Sequence, residues 1–216
     1  MATGKEEIRK GKNSEDTRKR ILKAALKAFA EDGFEGARVD GIAEIAGVNK
    51  AMLYYYVGGK EALYEAVLMD NMERLSEALE RASKSGKGPE DRMQKVLGAL
   101  IRTLNEIPEH PRIIARELSS GAAHLPKKAV ELMARAYELV RNILEEGKRS
   151  GVFRDVNPML AHLSIIGSTV FLIASGPVRR RFNEVLESHG GQGPGDDSLG
   201  RGIADLILNG IRTREE

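Results

Sequence analysis

Between Gly33 and Leu63 the chain reads GFEGARVDGIAEIAGVNKAMLYYYVGGKEAL, and this stretch leaves few folds open. Val39, Ile42, Ala43 and Ala46 fall at i, i+3, i+4 and i+7, the spacing of one apolar helical face. After Gly47-Val48 a second short pattern runs from Lys50 to Tyr56, with Ala51, Tyr54 and Tyr55 on one face and Leu53 with Val57 on another. Gly47 follows the last periodic residue of the first pattern, where a left-handed cap has no Cβ to clash. Asn49 supplies a side-chain oxygen for the free amides of the second. Two short helices with the turn between them encoded on both sides predict a helix-turn-helix.

A helix of two turns is unstable alone in water, so the second one must be held by the helices around it. Three tyrosines on so short a helix cannot all be buried, and some must face water or a partner. Tyrosine hydroxyls and lysines at helix ends suit phosphate oxygens and base edges in a DNA major groove. The candidate DNA-contacting residues are Arg38, Asn49, Lys50, Ala51, Met52, Tyr54, Tyr55, Tyr56 and Lys60. Lys60 is included because a lysine opening a helix is electrostatically unfavourable unless an anion sits there, and a helix N-terminus is itself a phosphate site. The plainer alternative has the tyrosines cover the underside of a small three-helix domain.

Gly33-Phe34, Val39, Ile42-Ala43, Ala46-Gly47-Val48, Leu53-Tyr54 and Lys60-Glu61-x-Leu63 stand in an order and spacing that resembles the TetR family of one-component transcriptional repressors. The resemblance is close over residues 17 to about 68 and only architectural beyond. It implies an all-α protein: an N-terminal three-helix DNA-binding domain over residues 1–62 with its core in 14–62, then a helical ligand-binding and dimerisation domain over 63–216. It also implies a homodimer on a palindromic double-stranded operator, released by a small-molecule effector. The chain departs from the family pattern at Arg38, where a capping Ser or Thr is usual, and at Ala51, Val57 and Gly59. These leave the motif in place and the operator sequence open.

Net charge is only +2, which excludes a non-specific polycation, yet residues 1–60 hold 12 Lys+Arg against 9 Asp+Glu while the remainder holds 22 against 23. Arg9, Lys10, Lys12, Arg18, Lys19 and Arg20 form a basic arm able to neutralise phosphates, although residues 1–13 are equally readable as a solubilising tail. The absence of cysteine excludes disulfides and thiolate chemistry. No apolar run of 18 residues and no signal peptide stand out, so the expectation is a cytoplasmic protein with no membrane partner.

Capping oxygens at Asn13 to Asp16 predict that the first helix starts there and runs to Asp32-Gly33. Leu63, Val67, Leu75 and Leu79 mark a long helix from Lys60 to Ala82 that joins the two domains and can carry coupling between them. A further helix starts at Pro89, Pro108 and Pro111 bracket a break before one over 112–120, and another runs from Pro126 to about Gly147. Asn157-Pro158 opens the most apolar segment, MLAHLSIIGSTVFLIAS, which ends at Gly176-Pro177 and reads as a helix buried on nearly all sides. GGQGPG is a loop, and the last helix spans 198–212. These last two helices are too apolar for a monomer's surface, so pairing with their copies in a second subunit is expected, or else completion of the subunit's own core.

Apolar and soft side chains suited to a hydrophobic or amphipathic effector are Met93, Leu97, Leu100, Met133, Tyr137, Met159, Leu163 and Phe171, with Arg116, Glu117, His124 and His162 as the polar groups on the same segments. For His162 the plainer reading is a satisfied core residue, and for Arg116-Glu117 a structural pair or a cap. No catalytic set, metal spacing or cofactor motif appears, and no cofactor is expected. The rival readings are a constitutive DNA-binding regulator without ligand, and a helical carrier or enzyme whose helix-turn-helix is merely structural.

Overall fold

The computed structural model describes residues 3–191, 193 and 195–213, with side chains placed from Ser14 onward except those of Asp196 and Asp197. In chain order the helices are α1 (Thr3–Gly36), α2 (Val39–Ala46), α3 (Lys50–Val57), α4 (Lys60–Lys84), α5 (Pro89–Glu106), α6 (Glu109–Ser119), α7 (Lys127–Arg149), α8 (Pro158–Ala174), α9 (Gly176–Ser188) and α10 (Asp196–Ile211). The described residues form no strand, and a single β-bridge joins Phe153 to Arg212. The protein is all-α, as the helical periodicities predict.

Two apolar cores meet along α4. The first gathers Ile21, Ala25 and Phe29 of α1, Ile42 of α2, Leu53 of α3 and the first turns of α4 from Leu63 to Leu68. The second gathers Met93, Leu97 and Leu100 of α5, Ile143 of α7, Ile165 of α8 and Leu79 near the far end of α4. Helix α6 crosses this division: Ile113 and Ile114 belong to the first core, and the helix packs between α1 and α8.

Four sequence expectations are corrected. Helix α1 begins at Thr3 rather than at the capping residues near Ser14, because the Lys- and Glu-rich stretch before them has no proline and favours helix. The side chains of Arg9, Lys10 and Lys12 lie outside the described residues. Pro111 does not bracket a break but sits in the first turn of α6, where its missing N–H has no partner to lose. Gly176-Pro177 not only follows the end of α8 but begins α9, a further helix beyond those the sequence predicts; the two helices meet at 63°.

The fourth correction concerns burial. Helix α8 is not covered on nearly all sides: Leu160, Leu163 and Phe171 stand 65%, 60% and 74% exposed along one stripe. Val178, Phe182 and Val185 form a second bare stripe on α9, whereas α10 leaves only Leu206 bare among its large apolar residues. The apolar surface open to a partner is thus on α8 and α9 more than on α10. No single described helix is long and apolar enough to cross a membrane.

Candidate nucleic-acid interface

Helix α2 starts after Arg38, whose extended backbone (φ −109°, ψ 131°) is that of a cap residue but whose side chain caps nothing. It ends at Gly47, in the left-handed conformation (φ 64°, ψ 40°) that a Cβ would disfavour. Asn49 then opens α3, its Oδ1 accepting the Met52 N–H at 2.8 Å. Leu53 is the one fully buried side chain of α3. A single buried leucine contributes about 1.5–3 kcal/mol, so this eight-residue helix is held chiefly by Leu53, with the Asn49 cap and the partly buried Tyr56 and Val57 beside it.

That anchoring decides which side chains turn outward. Lys50, Ala51, Met52, Tyr54 and Tyr55 are exposed, Tyr55 at 84%. Tyr56 turns back and packs against the first core, edge-on to Tyr55 with ring centroids 5.3 Å apart. The two readings of the tyrosines therefore divide between residues: Tyr54 and Tyr55 face out, and Tyr56 faces the domain. Arg38 and Asn49 are exposed on the same motif.

Two contacts here were not foreseen. Lys50 Nζ lies 2.9 Å from Asp40 Oδ1 of α2, an exposed pair that joins the two helices of the motif and raises the lysine's affinity for its proton. Lys60 does not reach freely into solvent; its Nζ donates to the Glu35 carbonyl at 3.0 Å and sits 4.8 Å from the centre of the Phe34 ring. It thereby fastens the N-terminus of α4 to the last turn of α1, just beyond the kink at Gly33 (φ 74°).

The expected effector lining is dispersed. Met93, Leu97 and Leu100 come together, all at most 1% exposed. Tyr137 meets His162 edge-on at 5.6 Å, and burial lowers the histidine's affinity for a proton. Met133 packs instead against the first core, Met159 and Phe171 are exposed on α8, and Arg116 turns to α1, donating to the carbonyls of Ala30 at 3.3 Å and Glu31 at 2.7 Å. The cap reading of Arg116 describes this geometry. A cleft of about 830 Å³ opens between α1, α4 and the turn before α6, and another of about 680 Å³ between α4, α5 and α7; neither is lined by any residue of the expected set.

Residues 21–67 match the family described as bacterial regulatory proteins, tetR family, and residues 89–187 match the one described as tetracyclin repressor-like, C-terminal domain. The chain is 33% identical over 158 residues to the HTH-type transcriptional repressor NicS of Pseudomonas putida, a match spanning 72% of this chain and 74% of NicS. Among solved structures, the hemolysin II transcriptional regulator HlyIIR has a TM-score of 0.68 at 26% identity, covering 93% of this chain and 99% of that one. FadR of Bacillus subtilis, solved in complex with stearoyl-CoA, has a TM-score of 0.69 at 21% identity over 89% of this chain and 98% of that one, a likeness of fold. With α3 anchored on Leu53 and its other face bare, and with likenesses that span both halves of the chain, the protein belongs to the TetR family: it is a DNA-binding transcriptional repressor whose C-terminal half is helical.

Proposed function

We propose that the protein works in the cytoplasm as a homodimer that holds a palindromic operator with two copies of α3 and releases it when a hydrophobic or amphipathic small molecule enters the C-terminal domain. The observation that carries this reading is the outward face of α3, where Lys50, Ala51, Tyr54 and Tyr55 are exposed while Leu53 fixes the helix from behind. Two such helices about 34 Å apart would enter successive major grooves on one side of a duplex. Support for a second subunit comes from the bare stripes of α8 and α9, since apolar surface of that extent on a helix pair marks a protein contact. Effector entry requires the tightly packed Met93, Leu97 and Leu100 to move apart, and methionine's three rotatable bonds suit it to such repacking.

Selection of binding sites from random duplex DNA, followed by sedimentation of the complex, tests this. The expected result is an inverted repeat occupied by two protomers. Recovered sequences without two-fold symmetry, or one protomer per site, contradict it.

A further inference from the structure

A second polar cluster lies where the reading head, α1 to α3 with the start of α4, meets the rest of the molecule. At its centre is Glu117 of α6, only 4% exposed. Desolvating a carboxylate that deep is costly, and hydrogen bonds that fill its oxygens are what offset the cost. Here both are filled: Tyr64 Oη of α4 donates to Oε1 at 2.6 Å, and the backbone N–H of His124 donates to Oε2 at 3.1 Å. Burial, and then the bond to Glu117, push the Tyr64 hydroxyl well above the usual phenol range, so it stays a donor.

His124 carries the cluster across to the head. Its ring stacks on Phe34 with centroids 4.2 Å apart, and its Nε2 and Nδ1 lie 3.4 Å from Glu35 and 3.6 Å from Glu117 respectively. Phe34 in turn meets Tyr64 edge-on at 5.1 Å and takes the Lys60 ammonium on its face. Arg116, beside Glu117, holds the carbonyls of Ala30 and Glu31 at the end of the first helical run. Every partner on the head side belongs to the short segment around Gly33 that leads into α2, or to the first turns of α4. Apolar contacts alone would let α6 slide against α1 and α4, because they have no preferred direction. Buried hydrogen bonds specify one register, since any other leaves a carboxylate unfilled.

The geometry points to Tyr64, Glu117 and His124 as a latch that sets the angle of the reading head, and thereby the separation of half-sites that the dimer accepts. This rests on the repressor reading above. One added base pair moves a half-site by about 3.4 Å along the axis and turns it by roughly 35°. A head held by the latch cannot follow that step, and a head freed from it can.

The test takes the selected operator and variants with one base pair inserted or deleted between the half-sites. Affinities are measured for the wild type, for Tyr64→Phe, which keeps the ring between Phe29 and Phe34, and for the double variant Tyr64→Phe with Glu117→Leu, which leaves no orphaned carboxylate. The wild type is expected to lose at least about tenfold at either altered spacing, and both variants less than about threefold, with base preference inside each half-site and the salt slope unchanged. A uniform loss at all spacings, an unchanged spacing profile, or unfolding of both variants would overturn the latch and leave a purely structural network. A wild type indifferent to spacing overturns it as well, with the repressor reading intact. A wild type that binds no symmetric duplex is a different failure, that of the repressor reading itself.

Discussion

Lys50 is paired with Asp40 before any DNA arrives, so its charge reaches a phosphate only after that ion pair is exchanged. Both side chains are more than half exposed, and such a pair contributes little to stability. Removing the acid should therefore act on binding: Asp40→Asn is expected to raise affinity about equally for all DNA sequences, by several-fold at low salt, with a steeper salt dependence in an anisotropy titration. Lys60→Ala should act in the opposite direction, weakening all sequences alike and flattening the salt slope. A change of sequence preference in either variant would contradict a phosphate-only role for Lys50 or Lys60.

His110 offers a residue-level prediction unrelated to DNA. Burial alone holds its imidazole down to about 4 from an ordinary value of 6.5, and its Nδ1 has no partner. Below about pH 6.5 the unfolded chain takes up a proton that the native protein refuses, so this group lowers stability as pH falls toward 4, after which its effect levels off. The full effect is on the order of 3 kcal/mol. Urea midpoints of the wild type should decline over that window, and those of His110→Gln should decline less; parallel curves would remove His110 from the account.

At the scale of elements, α3 is the weak point. Leu53→Ala should cost about 2–5 kcal/mol in the first core and abolish operator binding. Asn49→Ala should cost about 1 kcal/mol through the lost cap. Thermal unfolding followed by circular dichroism, beside operator affinity, would show whether loss of binding tracks loss of the head. The turn, the cap and the separation of Leu53 from the face of Tyr54 and Tyr55 were legible in the sequence because each is a local signal. Helix α9 is hidden in the sequence for a physical reason: Gly-Pro reads as a terminator, although proline starts a helix as readily as it ends one. The signal was there in Val178, Phe182 and Val185 at i, i+4 and i+7. Pro111 in α6 misled in the same way.

For the whole molecule, the division into two cores does not follow the chain. Ile113 and Ile114 of α6 join the head's core, and Tyr64 reaches Glu117 across 53 residues, a pairing no local periodicity can show. The expected effector lining scattered for the same reason: helical spacing tells which residues share a face, and packing decides which neighbour that face meets. Met133 fell to one core and Met93 to the other. If α8 and α9 are the subunit contact, Phe171→Glu should shift sedimentation toward monomer and cost operator affinity without altering half-site base preference. A coupling of about 2.7 kcal/mol between effector and operator would suffice for roughly 100-fold release.

The central claim is that the exposed face of α3 reads base sequence, twice, in a symmetric complex. Paired binding-site selections with the wild type and with Tyr54→Ala test it most directly. The account predicts an inverted repeat for the wild type and, for the variant, a changed preference at the same position in both halves. An unchanged motif, or a change in one half alone, would contradict it.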